Sequence, residues 1–177
     1  MTERINAKAE AALRDAMGHV AHAEPDQIES ALSALDDAER SQVLALSIMA
    51  ACYVVVDACG VQWPDDANLR QVAGALSTAG DSARQIGLVA AEIFEYLSRT
   101  VFGRESLADV FPDEPMYTRM PIIVAQRAAV VYRPKGKHWW EYLDQIESAL
   151  EIASALDAAV LPAAVMRAYL PKPAEAR

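Results

Sequence analysis

Three groups of side chains in this chain have types and spacings that could do chemistry. The first is a run without a single acid, Pro115 to Trp140, which holds Arg119, Arg127, Arg133, Lys135 and Lys137. Its end, Tyr132-Arg133-Pro134-Lys135-Gly136-Lys137-His138-Trp139-Trp140, joins three cations to a cluster of rings at the predicted start of a helix. Unpaired backbone N–H groups at such a start, flanked by lysines, attract anions. The second group comprises carboxylates three residues apart, Glu92 with Glu95 and Glu141 with Asp144. Facing pairs of this kind on neighbouring helices can hold Mg²⁺ for diphosphate chemistry. The third is Asp15, His19 and His22, which project within roughly 60° of one another on one helix and could grip a divalent metal.

Each group also has a purely structural reading. Glu92 and Glu95 fall opposite the Ile86, Ile93, Leu97 stripe, and Glu95 is spaced to pair with Arg99. The Asp15, His19, His22 trio reads as a surface cluster, since the chain offers no further histidine except His138. The paired acids weakly resemble those of the all-α nucleotide pyrophosphohydrolases, a likeness that would imply Mg²⁺-dependent cleavage of a nucleotide diphosphate bond. About 45 residues separate Glu95 from Glu141, more than that family's usual gap, and the remaining acids of its motif are missing. Membership is not inferred.

Cys52 and Cys59 lie about 10 Å apart along a helix, too far to form a disulfide with each other, and read as small apolar residues in a reducing compartment. Asp57 shares a face with Leu46, Ala50 and Tyr53 in a last helical turn, where the dipole disfavours an anion; if buried it needs a partner such as an arginine or backbone N–H groups, with a ligand-facing acid as the alternative. No phosphate-binding glycine loop, nucleophile elbow, zinc spacing or HExxH is present.

The elements that must position these groups follow from composition. The chain has 177 residues, 53% of them hydrophobic, with 35 alanines against 7 glycines and 9 prolines. A chain this long can bury roughly 70% of its unfolded surface. Abundant alanine with few breakers predicts an all-α fold: one single-domain bundle of six to eight helices over 1–177, with flexible ends at 1–3 and 171–177. Helices are expected over about 3–23, 28–35, 38–59, 66–78, 82–102, 122–132, 138–160 and 162–170, with Pro112, Pro115 and Pro121 in a loop. Asp36 and Glu39 have capping-box spacing at the start of the third, Gly60 stops it with Val61 packing back, and Val89 joins Ile86, Ile93 and Leu97 on the buried face of the fifth. The run 43–58 is apolar nearly all round, which predicts a central helix, with a strand at Val54–Val56 as the alternative. At about 16 residues it is shorter than a bilayer span, and with no secretory leader the protein is expected to be cytoplasmic.

Charge narrows the function. There are 16 Lys and Arg against 25 Asp and Glu, a net charge of −9. This sign disfavours nucleic acid as a partner. With Trp139 as origin on its helix, Tyr142, Leu143, Ile146 and Leu150 fall within about 80°, so Trp139 faces the core while Trp140 sits near 100° on the polar edge. An edge tryptophan beside cations suits an interface. The leading expectation is a non-enzymatic cytosolic interaction or assembly protein. It would dock a partner or a small anionic ligand through Arg133, Lys135, Lys137, His138 and Trp140, and self-associate through surplus apolar helix surface. The alternative is an enzyme or binder of a phosphorylated small molecule or nucleotide, with Mg²⁺ on Glu141 and Asp144. An apolar-ligand pocket is a third reading without a polar anchor. One heptapeptide, DQIESAL, occurs at Asp26–Leu32 and again at Asp144–Leu150. Lacking a fixed period over several units, it reads as coincidence more readily than duplication.

Overall fold

The computed structural model describes residues 6–156 except Gln62 and Arg104, so the expected helix at 162–170 and both expected flexible ends lie outside the described residues. Among these there are nine helices and no strand. Helix α1 (Ala7–Ala21) starts on Asn6, whose side chain accepts from Lys8 N. A 3₁₀ turn at Pro25–Gln27 leads into α2 (Ile28–Leu32).

Helix α3 (Asp37–Cys59) opens with the capping box expected from Asp36 and Glu39: Glu39 N donates to Asp36 Oδ1 at 2.8 Å, and Asp36 N to Glu39 Oε2 at 3.0 Å. It closes at Gly60 with φ 64°, a left-handed cap that suits glycine. Val61 does not pack back on it and stays 42% exposed. The valines 54–56 are helical, which removes the strand alternative. Helix α4 (Asp66–Thr78) has a second capping box, Asp65 with Asn68.

Two expected boundaries are overturned. The long helix expected over 82–102 is divided at Gly87, φ 75°, into α5 (Gly80–Ile86) and α6 (Ala90–Glu95), the latter continuing as a π-helical turn over Tyr96–Val101. The break turns Val89 outward, 48% exposed, although periodicity placed it on the buried stripe. After the short α7 (Leu107–Val110), α8 spans Glu114–Tyr132 and carries Pro121 inside it rather than in a loop. Proline removes one backbone hydrogen bond, a cost of about 3 kcal/mol in a helix interior. The helix persists because all of Met120–Ala129 is buried, so packing outweighs the local defect.

Helix α9 (Trp139–Leu156) completes the described chain. Helix α3 packs against α1, α4, α8 and α9, and α8 also meets α1 and α9. From α3 the core takes Val43, Leu46, Ala50, Ala51, Cys52, Val54 and Val55, while Leu44, Ile48, Met49, Tyr53 and Val56 are only partly covered. The run enclosed on every side therefore belongs to α8. At 23 residues, α3 exceeds the length read from its apolar stretch and is the one described helix long and apolar enough to cross a membrane; 44% of its apolar window is buried.

Candidate functional site

The five cations of the acid-free segment part into two kinds. Arg119 is neutralised: Nε donates to Glu29 Oε1 at 2.6 Å and Nη1 to Asp26 Oδ1 at 2.8 Å. Arg127 is 2% exposed and donates to the Ala79 carbonyl and to Ser82 Oγ. Burial alone pushes its guanidinium pKa down, no carboxylate pairs with it among the described residues, and its Nε finds no acceptor. By contrast, Arg133, Lys135 and Lys137 form no ion pair among the described residues and are all exposed.

These three stand on the elbow between α8 and α9. Arg133 leaves α8 in an extended conformation, held by Nη1 donating to the Val130 carbonyl. Lys137 N then donates to Pro134 O at 3.1 Å across the tight turn that Gly136 permits. The Lys137 ammonium donates to Gln145 Oε1 at 3.2 Å, a neutral partner that leaves its charge uncompensated. Trp139 is half-buried against the core, whereas Trp140 is 45% exposed, as their helical angles predict. The Trp140 ring lies on the His138 imidazole, centroids 4.2 Å apart and 6° from parallel, and meets Trp139 edge-on at 5.7 Å. Val130, Arg133, Gly136, Lys137, His138 and Trp139 line a pocket of ≈ 450 Å³.

Tyr142 fixes this elbow to the rest of the chain. Its ring is buried and its hydroxyl donates to Asp57 Oδ2 at 3.2 Å, tying the start of α9 to the end of α3. Burial, then Asp57, raise the phenol pKa far above its ordinary range, so it stays a donor. Asp57 itself is exposed, so water solvates its charge and no buried ion pair is required; it accepts from this hydroxyl.

The acids expected to hold Mg²⁺ are engaged separately. Glu141 Oε2 accepts from His138 N at 2.7 Å, so this carboxylate caps α9 and occupies one of the amides expected to be open to an anion. Asp144 accepts from Arg14 Nη2 at 2.6 Å, and Glu147 accepts from the same nitrogen. Among the described residues no three His, Cys, Asp or Glu side chains converge on a metal position. Glu95 pairs with Arg99 as expected, and Glu105 joins them. His19 lies 3.1 Å from Glu24 and 4.0 Å from Asp15, while His22 Nδ1 is at 2.8 Å from the Gly18 carbonyl, so the trio does not focus on one point. Neither Cys52 nor Cys59 is in a disulfide; burial and then Asp65 raise the Cys59 thiol pKa, which makes it a poor nucleophile.

No protein-family model, curated protein or solved structure matches this chain. The Arg14 cluster and the burial of Arg127 escaped the sequence reading. For the first, the recurrence of DQIESAL was the available signal; for the second there was none, because Arg127 and Arg133 sit in similar sequence surroundings.

Proposed function

We propose that this chain is a non-enzymatic helical docking protein whose elbow, residues 133–142, receives an acidic segment of a protein partner. The observation carrying this reading is the set of three exposed cations without ion pairs beside an exposed indole, on a body of net charge −9. Long-range repulsion from the body turns anionic segments away elsewhere, and the elbow gives them one favourable approach. The pocket has room for one or two side chains, and the Trp140–His138 stack offers a flat apolar rest for the segment's stem.

In this reading all of 1–177 forms one bundle with α3 and α8 at its centre, works in the reducing cytosol, and self-associates through the half-covered side of α3 around Leu44, Ile48 and Met49. Solution mass tests the last point. Docking is tested by titrating a hexaglutamate peptide into the protein at low salt and following tryptophan emission. Saturable binding is expected that weakens with added salt and disappears in a Lys135→Glu/Lys137→Glu variant. Absence of binding at low salt, or unchanged binding by that variant, refutes the proposal. Parallel titration with ADP, with and without Mg²⁺, separates it from phosphorylated small-molecule binding.

A further inference from the structure

Away from the elbow, three carboxylates surround one guanidinium where side chains of α1 and α9 meet. Arg14 Nε donates to Glu10 Oε1 at 3.3 Å, and its Nη2 serves both Asp144 and Glu147. Fully ionised, the cluster carries one positive and three negative charges. Asp144 is well hydrated and Glu10 partly so, but Glu147 is only 8% exposed and its Oε1 is buried without a hydrogen-bond partner. A buried oxygen beside a second carboxylate is unfavourable as an anion and satisfied as a carboxylic acid, whose proton it can donate to that neighbour.

We propose that this cluster is a proton-operated latch: one proton held between Glu147 and Glu10 keeps Glu147 enclosed where α9 meets α1, and its loss leaves a buried anion that Arg14 compensates only in part, which weakens that packing. Desolvation and the proximity of Glu10 push the Glu147 carboxyl up to about 7, against the opposing pull of Arg14. The proton belongs to the Glu10–Glu147 pair rather than to one residue. Helix α9 also packs on α3 and α8, from which no charged side chain pairs with Glu147 among the described residues. The groups facing it are Arg14 and Glu10, with Asp144 on its own helix.

The carboxyl binds its proton more tightly in the folded than in the unfolded chain, where 4.5 is the ordinary value. The stabilisation is therefore complete at acid pH and is lost as pH rises through about 7. The contact is thus poised to respond within the neutral range, and because α9 begins at the elbow, the same helix carries both features.

Carboxyl-carbon NMR across pH 4–9, together with thermal unfolding of wild type and Glu147→Gln, tests the latch. The Glu147 signal is expected to titrate near neutrality, and Glu10→Gln is expected to lower its midpoint. Relative to Glu147→Gln, the wild-type folding constant is expected to fall by up to tenfold per pH unit between about 5 and 7. A Glu147 midpoint below 5.5, or a wild-type-to-variant difference that does not change with pH, overturns the inference.

Discussion

Arg119 on α8 and Arg14 on α1 are held by identical heptapeptides. In Asp26–Leu32 the aspartate and glutamate bind Arg119; in Asp144–Leu150 the same two positions bind Arg14. In both copies the isoleucine and leucine are buried, as Ile28 and Leu32 and as Ile146 and Leu150. Acids at i and i+3 share one side of a helical segment while Ile at i+2 and Leu at i+6 share another, so the peptide turns apolar groups inward and presents a fork of carboxylates to a neighbouring helix.

The two clamps differ in burial, and their energies should differ accordingly. Asp26 and Glu29 are largely hydrated, so Arg119→Ala is expected to cost about 1 kcal/mol. Arg14→Ala removes the cation from the sheltered Glu147 and is expected to cost about 2 kcal/mol at pH 8, and less at pH 5, where that acid holds its proton. Urea unfolding at the two pH values measures both, and equal costs at pH 8 would contradict the assignment.

Adjacent tryptophans should respond oppositely. Trp140→Ala is expected to leave stability within about 0.5 kcal/mol while abolishing peptide binding, because its ring lies on the surface. Trp139→Ala, which removes a half-buried ring from the core, is expected to cost about 2 kcal/mol. Thermal unfolding and the hexaglutamate titration read the two effects.

Glycines in different backbone states give opposite signs on substitution by alanine. Gly18 lies inside α1 with open space around its Cβ position, so Gly18→Ala is expected to stabilise by about 0.5–1 kcal/mol. Gly60 has equally open space but a φ of 64°, so Gly60→Ala is expected to destabilise by about 1 kcal/mol through the backbone alone. Chemical denaturation of both variants checks the pair.

Arg127 lacks a counter-anion among the described residues, and Ser82 Oγ is 2.9 Å from its Nη1. Ser82→Asp is expected to raise stability by about 1 kcal/mol by supplying a charge-assisted hydrogen bond. A gain that survives in an Arg127→Met background would show that some other effect produces it.

Features set by neighbours in sequence were legible: the capping box of α3, its glycine stop, and the outward angle of Trp140 all depend on residues within a turn or two. Those settled by distant packing were not. Gly87 is embedded in helical periodicity on both sides, which hides its break, and Pro121 suggests a loop because its burial depends on the helices around α8. At the site, composition revealed the elbow's charge but could not separate the exposed Arg133 from the enclosed Arg127. Nor could it show that Glu141 and Asp144 were already committed to His138 N and Arg14.

The parallel contact between the His138 imidazole and the Trp140 indole has an optical consequence. The emission of an indole depends on what covers its face, so whatever slides between the two rings or lifts one away changes the brightness of this pair. The elbow thus carries its own dye, and occupancy can be followed in unlabelled protein against Trp63 and Trp139 as the remaining emitters.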